Sequence, residues 1–150
     1  MKKIRNIILL FGMLVISMQS INAQDFSGYW EGKLTVSANG NNVDLPYKMV
    51  IKTDDNGNCA GLTALWITMD GKTYFSKYKF TGTYSGSTLN FTDGELMESN
   101  NPDDPNFYWC TKSGALKLNG KELTGDITGY SPKGGCLPAT AYLTFHSALQ

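Results

Sequence analysis

Histidine and arginine are almost missing from this chain, with one of the first (His146) and one of the second (Arg5) in 150 residues. A single histidine and three cysteines without CxxC spacing leave no ligand set for a zinc site. No nucleophile elbow, HExxH run or phosphate-cradling loop is present, so no catalytic residue and no cofactor are expected. By the parity of Leu143 and Phe145, His146 points outward, which fits a solvated edge residue better than a base. The lone arginine sits near the N-terminus. Without a basic stripe, nucleic-acid binding is disfavoured, because it relies on Lys and Arg facing phosphate. Nothing forms a polybasic membrane patch either.

Long hydrophobic runs are also lacking, save one. Ile7–Ile16 is apolar, follows Lys2, Lys3 and Arg5, and precedes a polar stretch with Ala23 as the small residue at a cut. It is shorter than the roughly 20 apolar residues a membrane span needs. Residues 1–23 therefore read as a signal peptide cleaved after Ala23, and 24–150 as one exported domain, periplasmic or secreted, with no stable membrane insertion. The leader removes three basic residues and no acidic ones from a chain holding 13 of each, which leaves the remainder mildly acidic.

Within 24–150 no helical period lasts three turns. Alternating apolar and polar runs are separated by glycine-bearing turns instead, and the pattern is all-β. Eight strands are expected over residues 26–37, 43–53, 58–68, 72–84, 87–97, 107–118, 121–130 and 139–146. Ala38-Asn39-Gly40-Asn41, Asp55-Asn56-Gly57, Asp70-Gly71, Ser85-Gly86 and Asn119-Gly120 supply the positive φ of tight turns. Connections this short imply an eight-stranded antiparallel up-and-down meander, and closure into a barrel would remove the exposed edges.

Phe26, Gly28, Trp30, Gly32, Leu34 and Val36 share the inward face of the first strand. Gly82, between Phe80 and Tyr84, and Gly125, between Leu123 and Ile127, repeat the arrangement. Strand direction brings Gly28, Gly82 and Gly125 to one end of the barrel, where glycine permits sharp coiling beside a bulky neighbour. Trp30 is expected to plug that end.

Phe26-x-Gly28-x-Trp30 on a first strand after a signal peptide resembles the opening motif of the lipocalins and the wider calycin group. Trp109-Cys110 and Cys136-Leu137-Pro138 are similar to small secreted barrel domains of Gram-negative bacteria. The resemblance implies a barrel with an interior ligand site. The lipocalin arginine that packs over the tryptophan from the last strand has no counterpart here, and the Thr-Asp-Tyr motif is absent.

Strand parity places Cys110 and Cys136 at the upper end, opposite Trp30, and Cys59 at the lower end. Strands six and eight are two spacings apart, about 9.6 Å, beyond disulfide reach. Gly134-Gly135 lets the 131–138 loop fold back, so a Cys110–Cys136 bridge is expected, contributing about 3–4 kcal/mol by loop entropy. Cys59 is left as a buried free thiol.

Asp93 and Glu95 continue the inward face of Leu89 and Phe91. They either form a buried carboxylate pair or are turned outward, with Leu96 turned in, by a bulge at Gly94. The second is expected because buried unpaired charge is costly. Asn90-Phe-Thr92 fits a glycosylation pattern, although within a strand. The inward aromatics, Tyr47, Tyr74 and Tyr78 among them, either fill the barrel or line a pocket for a small apolar or amphipathic ligand. The long connector 98–106, with two prolines and three acidic residues, lies at the upper end beside the braced 131–138 loop. Two functions follow: a non-enzymatic binding barrel, its ligand passing between those loops to meet Tyr47, Tyr74 or Tyr78, or a structural or protein-interaction module with a packed interior and working upper loops.

Overall fold

In the computed structural model, which describes residues 25–150, left-handed backbone falls at the tight turns. Asn39 and Gly40 have φ of 50° and 80°, and Asp70 and Gly71 have 51° and 74°. A type I′ turn needs positive φ at both central residues, so each pair reverses the chain with a hairpin's twist. The chain forms β1 (Gly28–Ala38), β2 (Asn41–Thr53), β3 (Asn58–Met69), β4 (Lys72–Ser85), β5 (Thr88–Asn100), β6 (Thr111–Asn119), β7 (Glu122–Tyr130) and β8 (Ala139–Ser147). Each strand pairs antiparallel with the next. Trp30↔Phe145 and Leu34↔Ala141 join β1 to β8 and close the up-and-down barrel. The expected leader, 1–23, lies outside the described residues.

The end where β1 begins is filled. Trp30 is 1 % exposed, its Nε1 donates to the Phe26 carbonyl at 2.8 Å, and Phe145 packs edge-on at 5.4 Å. The aromatic from the last strand covering this tryptophan is thus a phenylalanine. Phe26 closes the end below, 5.7 Å from the Tyr84 ring. The glycines here are needed for close approach. A Cβ on Gly82 would lie 1.8 Å from the Asn90 carbonyl oxygen, and one on Gly125 2.1 Å from that of Ala115. Gly28, with φ of 150°, would drive a Cβ to 2.4 Å from the Phe145 ring. Coiling this tight leaves no room for side chains at these positions.

The wall departs from a uniform barrel between β5 and β6. Their ladder runs only from Thr88↔Lys117 to Thr92↔Ser113. Farther up, β5 continues to Asn100 paired with β4, with register shifts between Lys77 and Tyr78 and between Tyr78 and Phe80. The expected bulge at Gly94 is therefore present, but of the three side chains it was expected to turn only Glu95 goes as expected. Asp93 stays inside, Glu95 turns out to meet Lys79 at 3.1 Å, and Leu96 is 45 % exposed instead of buried. Closure also leaves an edge after all, because the upper half of β5 is paired on one side. The extra β5 residues take the place of the first part of the expected long connector. Glu98 belongs to the strand, bound to Lys77 at 2.7 Å, and the loop spans 101–110.

Candidate ligand-binding site

At the upper end the core gives way to a cavity of about 230 Å³. Its walls are aliphatic: Leu34 and Val36 from β1, Leu45 from β2, Leu65 and Ile67 from β3, and Ile127 from β7. Their inward positions follow from strand parity. Phe107, Tyr108 and Trp109 of the 101–110 loop line it, with Leu137 of the 131–138 loop, and Lys112 is the charged residue in its lining. Phe107 and Trp109 stack edge-to-face at 5.0 Å, and Trp109 Nε1 donates to Asn101 Oδ1 at 2.7 Å, which braces the loop against its own start.

The two loops are joined by the expected Cys110–Cys136 disulfide, with Cα atoms 6.1 Å apart. It crosses β7 at Gly129, where a Cβ would stand 2.9 Å from the Cys136 Cβ and 3.3 Å from that of Cys110. Gly134 and Gly135, at φ of 72° and 74°, bring the chain back across that strand, and the Tyr108 hydroxyl donates to the Gly134 carbonyl. The strand spacing that forbids a direct β6–β8 bridge is overcome by loop geometry.

Next to the cavity lies a buried polar cluster. Lys112 Nζ is 2.7 Å from Asp93 Oδ2, with side-chain exposures of 5 % and 0 %. Thr63 Oγ1 donates to Asp93 Oδ1 at 2.7 Å, and the Lys112 backbone N–H donates to Oδ2 at 3.0 Å. That last bond stands where the β5–β6 ladder has stopped, so the carboxylate replaces a strand carbonyl. Lys112 Nζ also lies 4.6 Å from the centre of the Tyr78 ring, a cation–π contact. Burial lowers the lysine's pKa, and the aspartate beside it opposes that shift. The cluster answers the cost of burying Asp93: the charge is paired and both oxygens are hydrogen-bonded.

The three tyrosines expected at the ligand are placed differently. Tyr47 and Tyr78 are buried and Tyr74 is partly buried, and none lines the cavity. Aliphatic side chains hold the walls, while Tyr78 lies against Lys112 and Tyr47 stands near Asp93 and Thr63. Burial, followed by the Asp93 charge, pushes the Tyr47 hydroxyl well above its ordinary pKa and that of Tyr78 upward. Thr63 is close enough to oppose the Tyr47 shift, yet Tyr47 Oη makes no hydrogen bond among the described residues, nor does Ser76 Oγ. Lys112 was overlooked at the level of sequence. The signal was there: it shares strand parity with Gly114, Leu116 and Leu118, opposite an inward Asp93.

Cys59 is a buried free thiol, its pKa pushed up to about 11 by burial and then by Asp54. His146 is exposed, 3.9 Å from Glu31. Among the described residues no group of three metal-ligating side chains forms, and no helix is long and apolar enough to cross a membrane. Neither a protein-family model nor a curated protein sequence matches the chain.

Proposed function

We propose that the protein is an exported, non-enzymatic, lipocalin-like barrel that binds a small apolar or amphipathic molecule in its upper cavity. The observation that carries this is the contrast between the barrel's two ends. The lower end is packed by Phe26, Trp30, Leu89 and Leu118, whereas the upper holds about 230 Å³ walled by aliphatic side chains. An apolar cavity of roughly 150 Å³ accepts benzene, so this volume suits a somewhat larger body. The disulfide supports an extracytoplasmic setting, because such bridges persist where the surroundings are oxidising. The ligand passes between the 101–110 and 131–138 loops, the first lining the cavity with Phe107, Tyr108 and Trp109 and the second with Leu137. A structural module with a solid interior has less support, since the interior is not solid.

Titration of the chain from Gln24 with ethylbenzene, followed by amide NMR shifts, tests the reading. Saturable shifts at Leu34, Leu45, Leu65 and Ile127 are expected. Absence of saturable shifts at millimolar ethylbenzene, or shifts confined to the Trp30 end, refutes it.

A further inference from the structure

We infer that the ligand of this cavity carries an uncharged hydrogen-bond-accepting head, such as a ketone, amide or ester oxygen, on a single-ring or similarly short apolar body, with Lys112 receiving the head. The inference rests on the cavity being a ligand site.

Size sets the body. Drug-sized ligands occupy pockets of roughly 300–1,000 Å³, and benzene fits roughly 150 Å³. The observed volume of about 230 Å³ falls between them, which matches one substituted ring.

Hydrogen-bond capacity sets the head. An ammonium has three N–H donors. Lys112 Nζ gives one to Asp93 and faces the Tyr78 ring with its positive charge, which leaves donor capacity at the cavity lining. Tyr47 Oη and Ser76 Oγ are buried with no partner among the described residues. Both flank cavity-lining Leu65 in the sheet, through Tyr47↔Leu65 and Leu65↔Ser76. The Asp93 carboxylate is engaged at both oxygens: Oδ1 takes the Thr63 hydroxyl, and Oδ2 takes both nitrogens of Lys112. The Tyr47 and Ser76 hydroxyls can donate or accept, but the ammonium can only donate, so an acceptor is the head that its remaining N–H groups demand, and buried donors are costly to leave unmade.

Charge excludes the alternatives. Asp93 and Lys112 sum to zero, so an anionic head would add a buried negative charge beside Asp93, and a cationic head a positive one beside Lys112. Neither would have a counter-ion left over. A neutral acceptor meets the Lys112 ammonium at the lining without adding charge.

The test compares acetophenone, benzoate, benzylammonium and ethylbenzene, one ring with four heads, by NMR titration of the chain from Gln24 at pH 7. Acetophenone is expected to bind about tenfold more tightly than ethylbenzene, with both ions weaker than acetophenone. Since Lys112→Met alone would strand Asp93 and endanger folding, the second arm uses D93N/K112M, which carries no buried charge at these positions. There the preference for acetophenone over ethylbenzene should vanish while ethylbenzene still binds. Equal binding of all four heads, a preference for benzoate, or a preference that survives in D93N/K112M overturns the inference and leaves the cavity reading standing. If ethylbenzene and acetophenone both fail to bind, the cavity reading itself is refuted.

Discussion

Replacing Asp93 by asparagine should be among the costliest single exchanges in the barrel, although it alters one atom. Asparagine can still accept from the Lys112 backbone N–H, and its amide can donate to Thr63 Oγ1. What it removes is the negative charge 2.7 Å from an ammonium that is 5 % exposed. Stranding one member of a buried pair costs about 3–5 kcal/mol. D93N belongs at the lower part of that range, because Lys112 can shed its proton, a loss that burial already favours. Lys112→Met leaves Asp93 charged but bound to Thr63 and the backbone N–H, and should cost about 3 kcal/mol. D93N/K112M removes both charges and keeps the neutral bonds, so its cost should be about 1 kcal/mol. The two single costs together thus exceed that of the double variant by about 5 kcal/mol, far above the additivity error of independent sites.

Urea unfolding followed by the fluorescence of the three tryptophans measures this cycle. With a slope of about 2 kcal/mol per molar, each single variant should lose about 1.5–2 M in midpoint, and the double variant about 0.5 M. The pH dependence has a defined sign. Burial holds the folded-state pKa of Lys112 below its usual 10.5 even beside Asp93, and D93N, which removes that opposing charge, should lower it further. Between the two values the unfolded chain holds more protons, so stability rises with pH. The D93N deficit should therefore be full below the lowered folded value and shrink as pH climbs toward 10.5. A double variant as damaged as the sum of the singles, or a D93N deficit that grows with pH, refutes the account.

Trp30→Ala should cost about 3–5 kcal/mol, since it deletes a buried indole together with its bond to Phe26 and its contact with Phe145; a urea midpoint shifted by less than 0.5 M would contradict that. Cys59 should resist iodoacetamide at pH 8 in the native protein, with the residue 4 % exposed and its thiol pKa pushed up to about 11, and unreduced protein in denaturant should yield one reactive thiol. Gly129→Val should destabilise the oxidised protein by about 1–3 kcal/mol, because its side chain collides with the disulfide carbons; after reduction, the same substitution should cost less.

The features legible in the sequence were those set by local chemistry or by parity alone. Asn39-Gly40 and Asp70-Gly71 identified their turns because few other residues accept positive φ. Trp30 was assigned inside because its neighbours at alternate positions are apolar or glycine. The Cys110–Cys136 pairing was legible because both cysteines fell at the same end of an antiparallel meander. Asp93 was misjudged for a different reason. Whether a carboxylate is buried depends on its partner, and that partner is 19 residues along the chain, on the adjacent strand. The desolvation argument was sound for an unpaired charge and did not apply once Lys112 faced the same interior. Parity put Tyr47 and Tyr78 on the inward face, where they are buried, but parity does not give the depth at which a side chain ends, so it could not tell them from the residues that line the cavity.

The Asp93 pairing also ties the open wall to the cavity. Had β5 and β6 stayed laddered above Thr92, the Lys112 N–H would pair with a strand carbonyl and Asp93 would have one fewer partner. The wall parts instead, and the carboxylate stands in for the missing carbonyl. β5 then follows β4 alone, through two register shifts that turn Glu95 to solvent. The same departure leaves Met97 46 % exposed and puts 101–110 across the upper end, where Phe107 and Trp109 roof the cavity. One buried ion pair therefore couples the sheet's irregularity to the site. An apolar pair at 93 and 112 could pack as well as the ion pair does, since replacing a buried ion pair with hydrophobic residues is often neutral or stabilising. It would nonetheless remove the carboxylate that caps the interrupted ladder and the ammonium that lines the cavity. The interior charge is thus better explained by the shape and chemistry of the upper end than by stability.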